Sequence, residues 1–202
     1  MVKSLRQQGT VISDPIGKVL ESIMGEIELQ IPTVRHTAAA AEYRKDFLRS
    51  GEFTADNCAL LMEDYGKWLE NNFRNSRETT AREGWGKTST FFAVRKNDKK
   101  ILGTAEIRHA LKNDVLREYG GHIGYTVCPG ERGKGYGTAI LRLALEECRH
   151  SGLDRVMLSC SEKNAASIRV IEKCGGVLTE TKEAKSHVIR VYWIDLEELR
   201  EA

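Results

Sequence analysis

No run of apolar residues approaches the roughly 18 needed to cross a bilayer as a helix, so a membrane partner is not expected. The sequence also lacks a Cys-x-x-Cys pair and any Cys/His spacing suited to zinc, and no metal is expected. Its cysteines, at 58, 128, 148, 160 and 174, form an odd set and read as reduced thiols of a cytoplasmic protein. Charge of one sign is missing too. Lys and Arg number 31 against 29 Asp and Glu, a net +2, which argues against a dedicated nucleic-acid or membrane-surface binder. There is no internal repeat and no low-complexity tract. What remains is a 202-residue chain, 41% hydrophobic and 30% charged, of the usual size for one globular domain. A core at that length buries roughly 70% of the unfolded surface, so no staple is needed.

The amino-terminal stretch reads differently from the rest. Lys3 and Arg6 would suit the start of a signal peptide, but Gln7, Gln8, Gly9, Thr10 and Asp14 interrupt any apolar region, and secretion is not expected. Patterning begins near Met24, so residues 1–23 read as an extension and 24–202 as the domain. Alternation at Ile27, Leu29 and Ile31 predicts a strand. Helices follow from Thr37 to about Ser50 and from Cys58 to Asn72, then a polar loop over 73–88. Strands are expected at Thr90–Val94, Ile101–His109 and His122–Val127, with an irregular stretch or short helix at Leu111–Tyr119. The clearest helix is Gly135–His150, with Ile140, Leu141, Ala144, Leu145 and Cys148 on its buried stripe. Arg155–Ser159 is a strand, Asn164–Cys174 a helix, and Val177–Thr181 with Val188–Asp195 an antiparallel hairpin. That order predicts an α/β sandwich, a mixed sheet with helices on both faces.

Between a strand and the best helix lies Arg132-Gly133-Lys134-Gly135-Tyr136-Gly137-Thr138. Alternate glycines remove the Cβ atoms that would keep a ligand off the backbone. Amides at a helix N-terminus, beside Arg132 and Lys134, suit a phosphate or pyrophosphate. A plain glycine-rich turn is the competing reading. A Walker loop fails because Gly133-Lys134 is followed by Gly135, with no hydroxyl for magnesium. A dinucleotide fingerprint begun at Gly133 fails at Thr138, where a third glycine is required.

What the loop does match is R-x-x-G-x-G, carried by Arg132, Gly135 and Gly137 after Pro129. Asn164-Ala165-Ala166-Ser167, continued by Glu172-Lys173-Cys174-Gly175, adds an N-x-x-S…E-K-x-G helix. Together they resemble the GNAT superfamily of acetyl-CoA-dependent N-acyltransferases, over about 90 residues from 101 to the final hairpin. The resemblance implies a mixed, mostly antiparallel central sheet flanked by helices, and acetyl-CoA as co-substrate. It implies that the pantetheine arm pairs with the backbone of Tyr125, Thr126 and Val127, on the family's splayed fourth strand. It also implies that the pyrophosphate lies on the amides of Arg132 through Thr138. Asn164 would bond the pantetheine, with Ser167 and Lys173 towards the same ligand; each of these two also reads as an ordinary helix-face residue.

Acetyl transfer to an amine needs a base, donors for the oxyanion and sometimes an acid for the thiolate. The segment His122-Ile123-Gly124-Tyr125 through Pro129 resembles the E-I-G-Y-x-x-x-P strand of the Rim-type branch, with His122 where that branch has Glu. An imidazole is a competent base at neutral pH, so the resemblance makes His122 a candidate; a hydrogen-bonded strand histidine is the alternative. Glu106 and His109 compete. Alternation puts Glu106 and Arg108 on one face and His109 on the other, and Arg108 is equally an ion-pair partner for Glu106. Where the family often has a Tyr acid, this chain has Ile171, as the Rim-type branch does. Cys128 and Cys160 lack a His–Asp set, so direct attack in a ternary complex is preferred to a covalent thiol route.

The leading expectation is therefore transfer of an acetyl group from acetyl-CoA to a primary amine, on a small molecule or a protein N-terminus. The rival is a non-catalytic acyl-CoA-binding regulatory module. Glu42, Asp46, Glu52, Asp56, Glu63 and Asp64 hint at a cationic acceptor, and a monomer or homodimer is left open.

Overall fold

The computed structural model describes residues 15–52, 61, 63–184 and 187–197. The first helix, α1 (Pro15–Glu26), runs directly into strand β1 (Ile27–Gln30). A 3-10 turn at Val34–His36 leads into α2 (Thr37–Ser50), which ends where Gly51 takes a left-handed φ of 69°. Helix α3 (Tyr65–Asn75) starts on Asp64, whose carboxylate accepts the Lys67 amide at 3.0 Å. The expected start of that helix at Cys58 lies outside the described residues. Strands β2 (Thr88–Arg95), β3 (Ile101–Arg108) and β4 (Ile123–Val127) follow, the last two separated by a π turn at Leu116–Gly120. Then come α4 (Tyr136–His150), β5 (Arg155–Ser161), α5 (Ala165–Lys173), β6 (Val177–Ala184) and β7 (His187–Asp195).

The mostly antiparallel, helix-flanked sheet expected from the sequence is present, divided in two. One part has strand order β1-β2-β3-β4 and the other β5-β7-β6, and every described ladder is antiparallel. Period-two alternation decides what each face covers. Ala105, Ile107, Ile123, Val156, Leu158, Tyr192 and Ile194 point into the main core, closed by Ile140, Leu141, Ala144 and Leu145 of α4. On the opposite face of the first part, Ala40, Tyr43 and Phe47 of α2 pack with Trp68 of α3 against Phe92, Val94 and Ile101. The third cluster, Met157, Ile189 and Val191, lies on the other face of the second part.

Helix α1 is the main departure from the sequence reading. A boundary at residues 23 and 24 falls inside it, and its Leu20 is buried in the main core with Ile23 and Met24 packed alongside. Within the described residues, therefore, the domain begins at α1. Gly17 and Gly25 disguise the helical spacing of Leu20, Ile23 and Met24, because glycine is a poor helix former. Among the described residues no helix is long and apolar enough to cross a membrane, and no cluster of His, Cys, Asp and Glu is suited to a metal.

Candidate active site

A cleft of about 440 Å³ opens between β4, the glycine-rich loop and α5. That is large enough to take much of an extended ligand. Tyr125, Thr126 and Val127 line one wall, Arg132, Gly133, Gly135, Gly137 and Thr138 the floor, and Asn164, Ser167 and Lys173 the other wall. Of the proposed cofactor residues only Lys134 and Tyr136 are absent from the lining. Tyr136 turns into the core, its hydroxyl 3.4 Å from Arg95.

The loop owes its shape to two left-handed glycines, Gly133 at φ 77° and Gly135 at φ 87°. A side chain at either would be strained. Gly135 is the N-cap of α4 and supplies no capping side chain. The amides of Tyr136 and Gly137 therefore remain available to an anion, with the helix dipole adding to the attraction, whereas the Thr138 amide is already given to the Gly135 carbonyl at 3.1 Å.

The loop cations are committed within the protein. Arg132 makes a two-pronged ion pair with Glu52, both N–O distances 2.7 Å, and its Nε donates to the Val127 carbonyl at 3.2 Å. The hydrogen bonds from Arg132 hold the Glu52 carboxyl below its ordinary pKa. Lys134 turns away to Glu131 at 2.9 Å, which also takes Lys100 at 2.8 Å. Burial alone would raise the Glu131 carboxyl; the two lysines bring it below its usual value. Lys134 is a strut under the loop in this arrangement, which spacing alone does not reveal.

On α5, Asn164 is the N-cap, its side-chain oxygen accepting the Ser167 amide at 3.0 Å. Its NH2 group still has two hydrogens to donate. The Ser167 and Tyr125 hydroxyls lie 3.0 Å apart and tie the two walls together. Burial pushes the Tyr125 phenol up to about 12, so it stays protonated. Ala166, Arg169 and Val170 also line the cleft; they share a helix face with Lys173, a spacing that is readable in the sequence. Phe47 of α2 joins them through tertiary packing and carries no local signal.

His122 does not line the cleft. It is 8% exposed, and its Nδ1 accepts the Met157 amide at 3.0 Å. The proton of the neutral ring therefore sits on Nε2. Burial first, then Arg108 and Arg155, push its pKa down to about 4. A ring with its lone pair engaged and its basicity lowered is poorly placed, in this arrangement, to take a proton. The contact with Met157, 35 residues away, carries no local signal in the sequence.

Glu106 faces the side of the sheet covered by α2 and α3, level with Gly124 of β4, and its carboxylate pairs with Arg108 at 2.8 Å. Glu106 itself does not line the cleft. Two residues along, Thr104 and Thr126 bring their hydroxyls within 2.8 Å, and Tyr43 of α2 reaches Thr126 at 2.7 Å. His109 is bound to Ser89 at 2.8 Å, and burial lowers its pKa. Burial raises Cys128 to about 12 and also raises Cys160, leaving both as unreactive thiols.

Several of the acidic residues offered as a cationic-acceptor signal are paired within the protein, while Glu63 is exposed. Glu42 pairs with Lys45, Asp46 takes the Cys128 thiol and Lys100, Glu52 holds Arg132, and Asp64 caps α3. Asp56 lies outside the described residues.

Structural comparison finds this architecture in known acetyltransferases. RimJ of Mycobacterium smegmatis, in complex with CoA-disulfide, superposes with a TM-score of 0.63 at 20% identity, over 86% of this chain and 83% of its own. Mutant forms of the spermidine/spermine N-acetyltransferase SpeG from Vibrio cholerae give a TM-score of 0.60 at 11% identity, over 88% and 98%. The microcin C7 self-immunity acetyltransferase MccE, in complex with acetyl-CoA and AMP, gives 0.59 at 19% identity, over 84% and 92%. Comparison with curated proteins yields no match. The model of the acetyltransferase (GNAT) family matches residues 55–176, more than half of the sequence, and the chain belongs to that family.

Proposed function

We propose that the protein transfers an acetyl group from acetyl-CoA to a primary amine, by direct attack within a ternary complex. The observation that carries this reading is the cleft itself: a helix N-terminus without a capping side chain, two left-handed glycines and the β4 strand converge on one space. Amides at the α4 N-terminus would hold the diphosphate, and the Asn164 NH2 and the β4 backbone would hold the pantetheine arm. The similarity to RimJ with CoA-disulfide and to MccE with acetyl-CoA supports the same choice of co-substrate.

In the proposed chemistry, Glu106 takes the proton from the acceptor ammonium, directly or through water, with Arg108 fixing its carboxylate. The amine nitrogen then bonds to the thioester carbonyl carbon, and the carbon–sulfur bond breaks as the thiolate leaves, taking up through solvent the second proton that the nitrogen sheds to become an amide. The Tyr125–Ser167 hydroxyl pair on the cleft wall would donate a hydrogen bond to that thiolate. Buried, protonated thiols at Cys128 and Cys160 favour this over an acyl-cysteine route. A small amine and a protein N-terminus both remain within the acceptor class.

The test is a substitution in the loop. Gly135 is the less clean site, because a Cβ there would lie 2.7 Å from Ile23 Cδ1. Gly133 has open space around it, and Asp tolerates left-handed backbone better than most residues. Gly133→Asp puts a carboxylate beside the proposed diphosphate seat and should abolish thermal stabilisation by acetyl-CoA. Full stabilisation in a folded Gly133→Asp protein would overturn the cofactor assignment.

A further inference from the structure

Three hydrogen bonds converge on His122. Its carbonyl accepts the Arg108 amide at 2.8 Å, which joins it to β3. Its own amide donates to the Met157 carbonyl at 2.7 Å, and its ring Nδ1 accepts the Met157 amide at 3.0 Å. One residue just ahead of β4 thus satisfies both backbone groups of one residue of β5. Beyond it, β4 and β5 form no described ladder. The ring is seated edge-on against Trp193 of β7, centroids 6.0 Å apart. Gly121 next to it abuts the β5 backbone so closely that a Cβ would collide with the Met157 carbonyl.

Both walls of the cleft descend from this junction. On one side Tyr125, Thr126 and Val127 follow within a few residues; on the other, β5 leads through Ser161 to Asn164 and α5. The far ends are tied by the Tyr125–Ser167 hydroxyl contact. The vertex of the V is therefore His122 with Met157. We infer that His122 is a positioning residue whose ring takes the place of a first-sheet carbonyl as acceptor for the Met157 amide, ending the pairing of the two sheets there and setting the opening that receives the acyl-CoA arm. This rests on the acetyl-CoA reading above.

The test compares CoA binding by calorimetry in the full chain and in His122→Asn and His122→Leu. Asparagine carries a carbonyl oxygen at the same branch as Nδ1 and can accept the Met157 amide; leucine fills the space without an acceptor. His122→Asn should bind CoA within about threefold of the parent, and His122→Leu roughly tenfold or more weakly. Amide exchange at Met157 should speed up in the leucine variant alone. With an acceptor amine in hand, the loss in His122→Leu should fall on KM for acetyl-CoA, and the kcat–pH profile of His122→Asn should superimpose on the parent's. A leucine variant with parental CoA affinity, or an asparagine variant as weak as leucine, would overturn the proposal. So would an asparagine variant that binds CoA normally but has lost turnover, since that result returns the ring to proton transfer. Should His122→Leu fail to fold, His122→Ala serves as the arm without an acceptor and is read by the same criteria. A parent that binds no CoA would remove the acetyl-CoA reading and this one together, and is seen before any variant is made.

Discussion

At the scale of single residues, the local environment decides whether a polar side chain does chemistry or architecture. His122 occupies a strand position that suits a base in sequence terms, yet it is pressed down to about 4 by burial and by Arg108 and Arg155. The unfolded chain, with an ordinary histidine near 6.5, binds this proton more readily than the folded one. The contribution of His122 to stability is therefore complete above about pH 6.5 and is lost as the pH falls towards 4. Denaturant titrations of the ligand-free protein at about pH 7 and about pH 4 should reveal a loss of roughly 3 kcal/mol at most from this group. His122→Asn should remove that component; an unchanged acid loss in the variant would locate it elsewhere. Asn164 combines two tasks in one side chain, and they are separable. Asn164→Ala should lower stability by about 1 kcal/mol through the lost cap and weaken CoA binding about tenfold. Asn164→Ser should recover the stability without the affinity. If serine restores both, Asn164 serves only its helix.

Elements were legible where their signal was local. The glycine loop, the stripe of α4 and the capped start of α5 all lie within short windows, and each is found where the sequence predicts it. What could not be read were partners distant in sequence: Met157 for His122, Glu52 for Arg132, Phe47 for the cleft. Pairings of that kind depend on how elements dock, and no periodicity encodes them. Helix α2 illustrates the consequence. Asp46 near its carboxyl end takes the Cys128 thiol just after β4, and Glu52, two residues past its end, holds Arg132 of the proposed cofactor loop. The guanidinium of Arg132, which lines the cleft, is thus already paired with a carboxylate in this arrangement. Glu52→Gln should tighten CoA binding about two- to fivefold at low salt, with the gain shrinking as salt rises. Weaker binding in Glu52→Gln would mean that the pair holds Arg132 in its binding pose.

For the whole molecule, the two sheets, one covered by helices on both faces, leave the proposed cofactor cleft at the seam where their pairing stops. Helix α1 belongs to that body. Deleting residues 1–23 removes Leu20 and Ile23 from the main core, and should lower Tm by roughly 5–10 °C. A truncated chain that melts with the parent would show α1 to be dispensable. The truncation should also blunt the response to acetyl-CoA, because the Ile23 methyl rests against Gly135, at 2.7 Å from where a Cβ would stand. The amino-terminal helix is thus one van der Waals layer from the proposed diphosphate seat. An affinity tag, a cleavage scar or a fused domain placed just ahead of Pro15 would act as an active-site perturbation, and kinetic constants measured on differently tagged preparations should disagree until the tag is moved to the other end of the chain.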